Sequence, residues 1–123
     1  MPQYAALIYE QGDPDWSSLD TPDKQAMMGE YGAFGATAAA VLRGGAALYP
    51  TSTSTTVQVR GGKGGEVVTS DGPFAETKEV LTGFYLIECA DLDEAVSWAA
   101  QIPAAWQNKV EVRPVIDFGD NAG

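Results

Sequence analysis

Two stretches of this chain are apolar on both of their alternating faces, which limits the possible folds more than any other feature of the sequence. Between Gln3 and Tyr9, Tyr4, Ala6 and Ile8 fall on one side of an extended backbone and Ala5, Leu7 and Tyr9 on the other. Between Gly83 and Cys89, Phe84 and Leu86 oppose Tyr85, Ile87 and Cys89. A strand with such side chains on both faces belongs inside a sheet that is covered twice. Both stretches are therefore predicted to be central strands.

Helices supply the first cover. Thr21 and Pro22 read as an N-cap and first helical position, with Asp23 placed well for the positive end of the helix dipole. Met27, Tyr31, Phe34, Ala38 and Val41 or Leu42 recur at three- and four-residue steps as one core-facing stripe. Gly44-Gly45 is expected to end this helix through a left-handed residue. A second helix opens at Asp91-Leu92-Asp93-Glu94, which resembles a capping box. Its inner stripe is Leu92, Ala95, Val96, Ala99 and Ile102, and Pro103 stops it. The predicted helices thus run from Pro22 to Leu42 and from Asp91 to Ile102.

The remaining segments fill in the order. Ala46 to Tyr49 reads as a short strand or extended arm, and Val110, Val112 and Pro114 alternate with Glu111, Arg113 and Val115 as a last strand with one wet face. Thr55 to Arg60 and Glu66 to Thr69 alternate as a hairpin around the tip Gly61-Gly62-Lys63-Gly64-Gly65. A strand follows these glycines where a phosphate cradle needs a helix, so no nucleotide cofactor is expected there. Trp16 is expected to clamp the polar segment from Glu10 to Asp20 to the core. The whole reads as one α+β domain, residues 1–123 with a frayed tail over 119–123: a ferredoxin-like split βαβ with an added hairpin, its antiparallel sheet carrying two helices on one face. Two helices cover one face only, so the other face calls for a partner, and a second copy of the chain is the simplest: a homodimer is expected.

Charge and residue usage exclude several functions. Seventeen acids against seven bases give a net charge of −10, which repels nucleic-acid backbones and anionic lipid. Direct nucleic-acid binding and membrane insertion are not expected, no apolar run being long enough to span a bilayer, and the absence of a secretory leader pattern points to a cytoplasmic protein. The single cysteine, Cys89, is read as a small buried hydrophobe. There is no histidine. Ser-His-Asp and Cys-His mechanisms and an imidazole zinc site therefore lack an essential part, and no metal site or other cofactor is assigned.

The densest chemistry lies in Ser70-Asp71-Gly72-Pro73-Phe74-Ala75-Glu76-Thr77-Lys78-Glu79. Asp-Gly-Pro forces a tight turn, because Gly72 can take positive φ and Pro73 fixes its own. Phe74 is expected to be a buried anchor. The stretch closely resembles the signature of the DGPFAETKE family, part of the wider YCII-related group. Tyr4 to Tyr9, Gly83 to Ile87, Asp91 to Ala95 and Val110 to Pro114 resemble that family too. The resemblance implies a ferredoxin-like domain of the dimeric α/β-barrel type. The wider group has a His-Asp pair proposed as its active site, and a chain without histidine cannot match it.

Two functions follow as expectations. In the first, the chain is a small-molecule enzyme or ligand-binding protein with a pocket between the sheet and the motif loop. Asp71 and Glu79 are the candidate catalytic carboxylates, since a carboxyl raised by burial or by a second carboxylate can carry a proton near neutral pH. Asp71, Phe74, Glu76, Lys78, Glu79, Tyr85 and Arg113 would contact the ligand, with Lys78 or Arg113 holding any anionic part. In the second, the motif is a structural turn and contact element of a non-enzymatic adaptor. The resemblance links that role to transcription, some relatives being encoded beside or fused to alternative sigma factors.

Overall fold

The computed structural model describes residues 1–13, 21–75 and 77–119. Trp16, Glu76 and the residues after Gly119 lie outside the described residues. Four strands form the main sheet: β1 (Gln3–Gln11), β2 (Leu42–Ala47), β5 (Glu79–Glu88) and β6 (Lys109–Pro114). Their spatial order is β2-β5-β1-β6, every neighbouring pair antiparallel. With helices inserted after β1 and after β5, this is an α+β fold of ferredoxin-like topology. Both doubly apolar strands occupy central positions, as their composition requires.

Register divides the sheet into two faces. Ala6 lies opposite Tyr85 and Val112, and Tyr4 opposite Ile87, on the side that the helices cover. There Tyr4, Ala6, Ile8, Ile87 and Cys89 form the core with Phe34, Ala38, Ala95, Ala99, Ile102 and Ala104. On the other face, Leu7 lies opposite Phe84 and Glu111, and Ala5 opposite Leu86 and Arg113. Ala5, Leu7, Phe84 and Leu86 are half-buried rather than buried.

Helix α1 spans Pro22–Thr37 and is capped by Thr21, whose hydroxyl accepts from the Lys24 amide at 3.2 Å. It ends five residues earlier than the sequence suggests, and not at Gly44-Gly45. Val41 and Leu42 both donate to the Ala38 carbonyl, at 2.9 and 3.0 Å, in a turn made without a left-handed residue. The two glycines lie inside β2, where that strand runs close to β5. A Cβ on Gly45 would stand 2.7 Å from the Phe84 carbonyl oxygen. Close backbone approach, rather than helix termination, accounts for the glycine at position 45.

Helix α2 spans Leu92–Ala99. Its cap is reciprocal: Asp91 Oδ1 accepts from the Glu94 amide and Glu94 Oε2 accepts from the Ala90 amide, both at 2.9 Å. Beyond it, Pro103 does not simply stop a helix. It starts a third, α3 (Ala104–Gln107), which sequence periodicity missed because four residues are too few to show one. The central hairpin, β3 (Thr55–Arg60) and β4 (Glu66–Asp71), forms a separate two-stranded sheet. Val57, Val59 and Val67 on it are exposed.

The packing sets two phenylalanines apart. Phe34 is buried against Tyr85, ring centroids 5.1 Å apart at 60°, whereas Phe74 is 90% exposed within the chain. The expectation that Phe74 is a buried anchor is thus corrected. Because the hairpin pairs with itself and stands apart from the main sheet, the loop at its base finds nothing among the described residues to cover the ring. Phe34→Ala should cost about 3 to 5 kcal/mol in urea denaturation, and Phe74→Ala should stay within about 0.5 kcal/mol. A large loss from Phe74→Ala would show that its ring is covered in solution.

Candidate functional site

A cavity of about 670 Å³ lies between the first half of α1 and the helix-covered face of the sheet. Its roof is one face of α1, since Lys24, Met27, Met28 and Tyr31 recur at the spacing that aligns side chains along a helix. Its floor is unusually low: Gly45 and Ala47 from β2 and Gly83 from β5 carry little or no side chain. Gly83 is small for the same reason as Gly45, a Cβ there meeting the Ala46 carbonyl oxygen at 2.8 Å. Pro103, Ala104 and Gln107 close one end, and Ile8, Glu10 and Tyr85 complete the wall. Further along α1, Phe34 and Ala38 reach the core and the gap disappears.

The lining is mostly carbon, with a few polar groups set into it. Burial pushes the Tyr31 hydroxyl up to about 12. The negative charge of Glu10 and the nearby Tyr85 add to this, and the Ala104 amide opposes it. Burial also raises Tyr85. Both phenols are therefore protonated near neutral pH and present O–H donors. Together with the Glu10 carboxylate, the site offers donors and an acceptor in an apolar setting. Among the described residues no cluster of three or more acidic or thiol side chains is arranged to hold a metal ion.

The structure separates the residues singled out from sequence. Tyr85 lines the cavity; Asp71, Phe74, Lys78, Glu79 and Arg113 do not. Asp71 is the last residue of β4, opposite Thr55, and is exposed. Gly72 has φ +89° as the turn requires, its amide donating to the Ser54 carbonyl at 2.7 Å and its carbonyl accepting from the Thr56 hydroxyl at 2.9 Å. These bonds tie the turn to the base of the hairpin. Glu79 pairs instead with Lys109 Nζ at 2.7 Å, in a shallow groove with Tyr9, Val110 and Glu111. Arg113 is exposed and in register with Ala5 on the face opposite the helices. The expected convergence of Asp71 and Glu79 on one enclosed pocket is not found, because a salt bridge holds one and the hairpin carries the other.

Sequence reasoning assigned Met27 and Tyr31 to the core stripe and passed over Glu10, Ala47 and Gln107. The signal that could have found the cavity was Gly83, a residue without a side chain in an otherwise apolar strand, facing a helix that carries methionines. Cys89 fits its expected role: it is buried, and burial followed by the charge of Glu94 pushes its thiol up.

A ferredoxin-like α+β chain with an apolar, donor-lined cavity beneath its first helix is the class of protein that fold and site define. Residues 4–119 match the model of the YCII-related domain, and the chain belongs to that family. It is also 47% identical over 72 residues to an uncharacterized protein of Rhizobium meliloti (strain 1021). That match covers 57% of this chain and 56% of the relative, so it spans about half of each.

Tyr31 gives a pH test. A phenol raised from 10.0 to about 12 holds its proton more tightly in the folded state than in the unfolded one. Its stabilising contribution is full below about pH 10 and is lost as pH rises toward 12. Denaturant melts across that window should show the parent protein losing more stability than Tyr31→Phe. Parallel losses would mean that the hydroxyl is not desolvated.

Proposed function

We propose that this chain is a small-molecule-binding protein acting as a cytoplasmic homodimer, with its ligand seated beneath α1. The cavity carries this reading. At about 670 Å³ it is large enough for a small organic molecule, within the roughly 300 to 1,000 Å³ typical of ligand sites. It combines carbon walls with a few converging polar groups, the usual composition of such sites. Asp71 and Glu79 then lie outside the site: the Asp-Gly-Pro turn closes the base of the hairpin, and the Glu79–Lys109 pair links the ends of β5 and β6. The half-buried apolar set Ala5, Leu7, Phe84 and Leu86 supports the dimer, since a second copy would cover it. No helix among the described residues is long and apolar enough to cross a membrane, and the buried free thiol of Cys89 suits a reducing compartment.

One observation favours a second reading. Val57, Val59, Val67 and Phe74 are exposed on and beside the hairpin, whose tip carries Arg60 and Lys63 on an otherwise acidic chain. Such a surface suits a protein contact, as an adaptor linked to transcription would need.

Cavity filling tests the first reading. Ala47→Trp, from the floor, and Met27→Trp, from the roof, should each weaken binding of the neutral dye Nile red by about tenfold or more, roughly 1.4 kcal/mol. Unchanged binding in both would place the dye, and the site, elsewhere. For the dimer, sedimentation should give about twice the 13.0 kDa chain mass, and Leu7→Asp should reduce it to one. A parent protein that sediments as a monomer would remove the dimer from the proposal.

A further inference from the structure

We infer that the cavity beneath α1 takes a ring-bearing apolar molecule with a hydrogen-bond donor, an amine or hydroxyl, on the end that meets Glu10, and that it discriminates against carboxylates. The inference rests on the cavity being the binding site and adds the chemical class of its ligand. The walls call for a ring. Tyr31 and Tyr85 contribute aromatic surface, and Met27 and Met28 are unbranched, polarizable side chains that adapt to a flat face.

The polar end calls for a donor. Glu10 lies near the end of β1, half-buried and facing the cavity, and an ionised carboxylate only accepts hydrogen bonds. No hydrogen bond or ion pair among the described residues occupies its side chain. The Tyr31 phenol feels its charge. A ligand amine or hydroxyl is the complement of this acceptor, and a charged donor makes the stronger bond.

Lys24 is the competing head-group site, since it lines the same opening from the first turn of α1. The field of the whole chain favours Glu10. With a net charge of −10, the protein repels an approaching anion and attracts a cation.

Calorimetric titration of the full chain with naphthylethylamine, naphthylethanol and naphthylacetate tests this, because the three share a ring system and differ at the head. The amine and the alcohol should each bind about tenfold or more tightly than the acetate. Glu10→Gln should cut the preference for amine over acetate about tenfold, and Lys24→Gln, which removes the competing cation from the same opening, should strengthen amine binding. If acetate binds best, or the preference is undiminished in Glu10→Gln, the head-group inference is overturned while the cavity stands. If none of the three binds, the cavity reading itself falls with it. Should Glu10→Gln not fold, Lys24→Gln decides, and a loss of amine binding in that variant overturns the inference.

Discussion

Antiparallel pairing between β1 and β5 sets the geometry on which every other element depends. In their register Tyr4 meets Ile87 and Ala6 meets Tyr85 on one face, while Ala5 meets Leu86 and Leu7 meets Phe84 on the other. A slip of one residue would exchange the faces and bring Phe84 and Leu86 under the helices in place of Tyr85 and Ile87. Held in this register, the pair presents Tyr4, Ala6, Ile8, Ile87 and Cys89 to the helices, and all of these are buried. The irregularity between Ile8 and Tyr9 lies where β5 reaches Gly83 and Leu81, next to the floor of the cavity.

The cavity follows from two local requirements that do not match. Strand β2 approaches β5 closely enough to require small residues at Gly45 and Gly83, which lowers the sheet surface. Helix α1 descends only where Phe34 can pack against Tyr85. Between these points the helix bridges a gap that its methionines do not fill. Filling it would bury apolar surface, so a molecule that does so gains from the hydrophobic effect without first reorganising the core. On the proposed reading, Glu10 and Tyr31 would orient that molecule.

Much of the fold could be read from the sequence because its signals are local and repeated. Apolar side chains on both faces identified the two central strands, and capping residues identified the starts of α1 and α2 at Thr21 and Asp91. The early end of α1 was missed because a glycine pair that serves close strand packing looks, in sequence, like one that ends a helix. The position of the hairpin was illegible for a different reason. Alternation in Thr55–Arg60 and Glu66–Asp71 shows that the two strands pair, but not whether they join the main sheet. Phe74, read as an anchor, depends on that placement and is exposed. The site was harder still, because a cavity is an absence of side chains. The motif acids drew attention by density, whereas Gly83, Ala47 and Glu10, from three separate strands, meet only once the sheet has formed.

Backbone amide resonances recorded during titration with naphthylethylamine test most directly the claim that the functional site lies beneath α1 and not at the Asp-Gly-Pro-Phe turn. The account predicts the largest shifts at Glu10, Met27, Tyr31, Gly83, Tyr85 and Ala104, with Asp71, Gly72 and Phe74 unmoved. Shifts confined to Asp71 through Glu79, with the α1 amides unchanged, would contradict it.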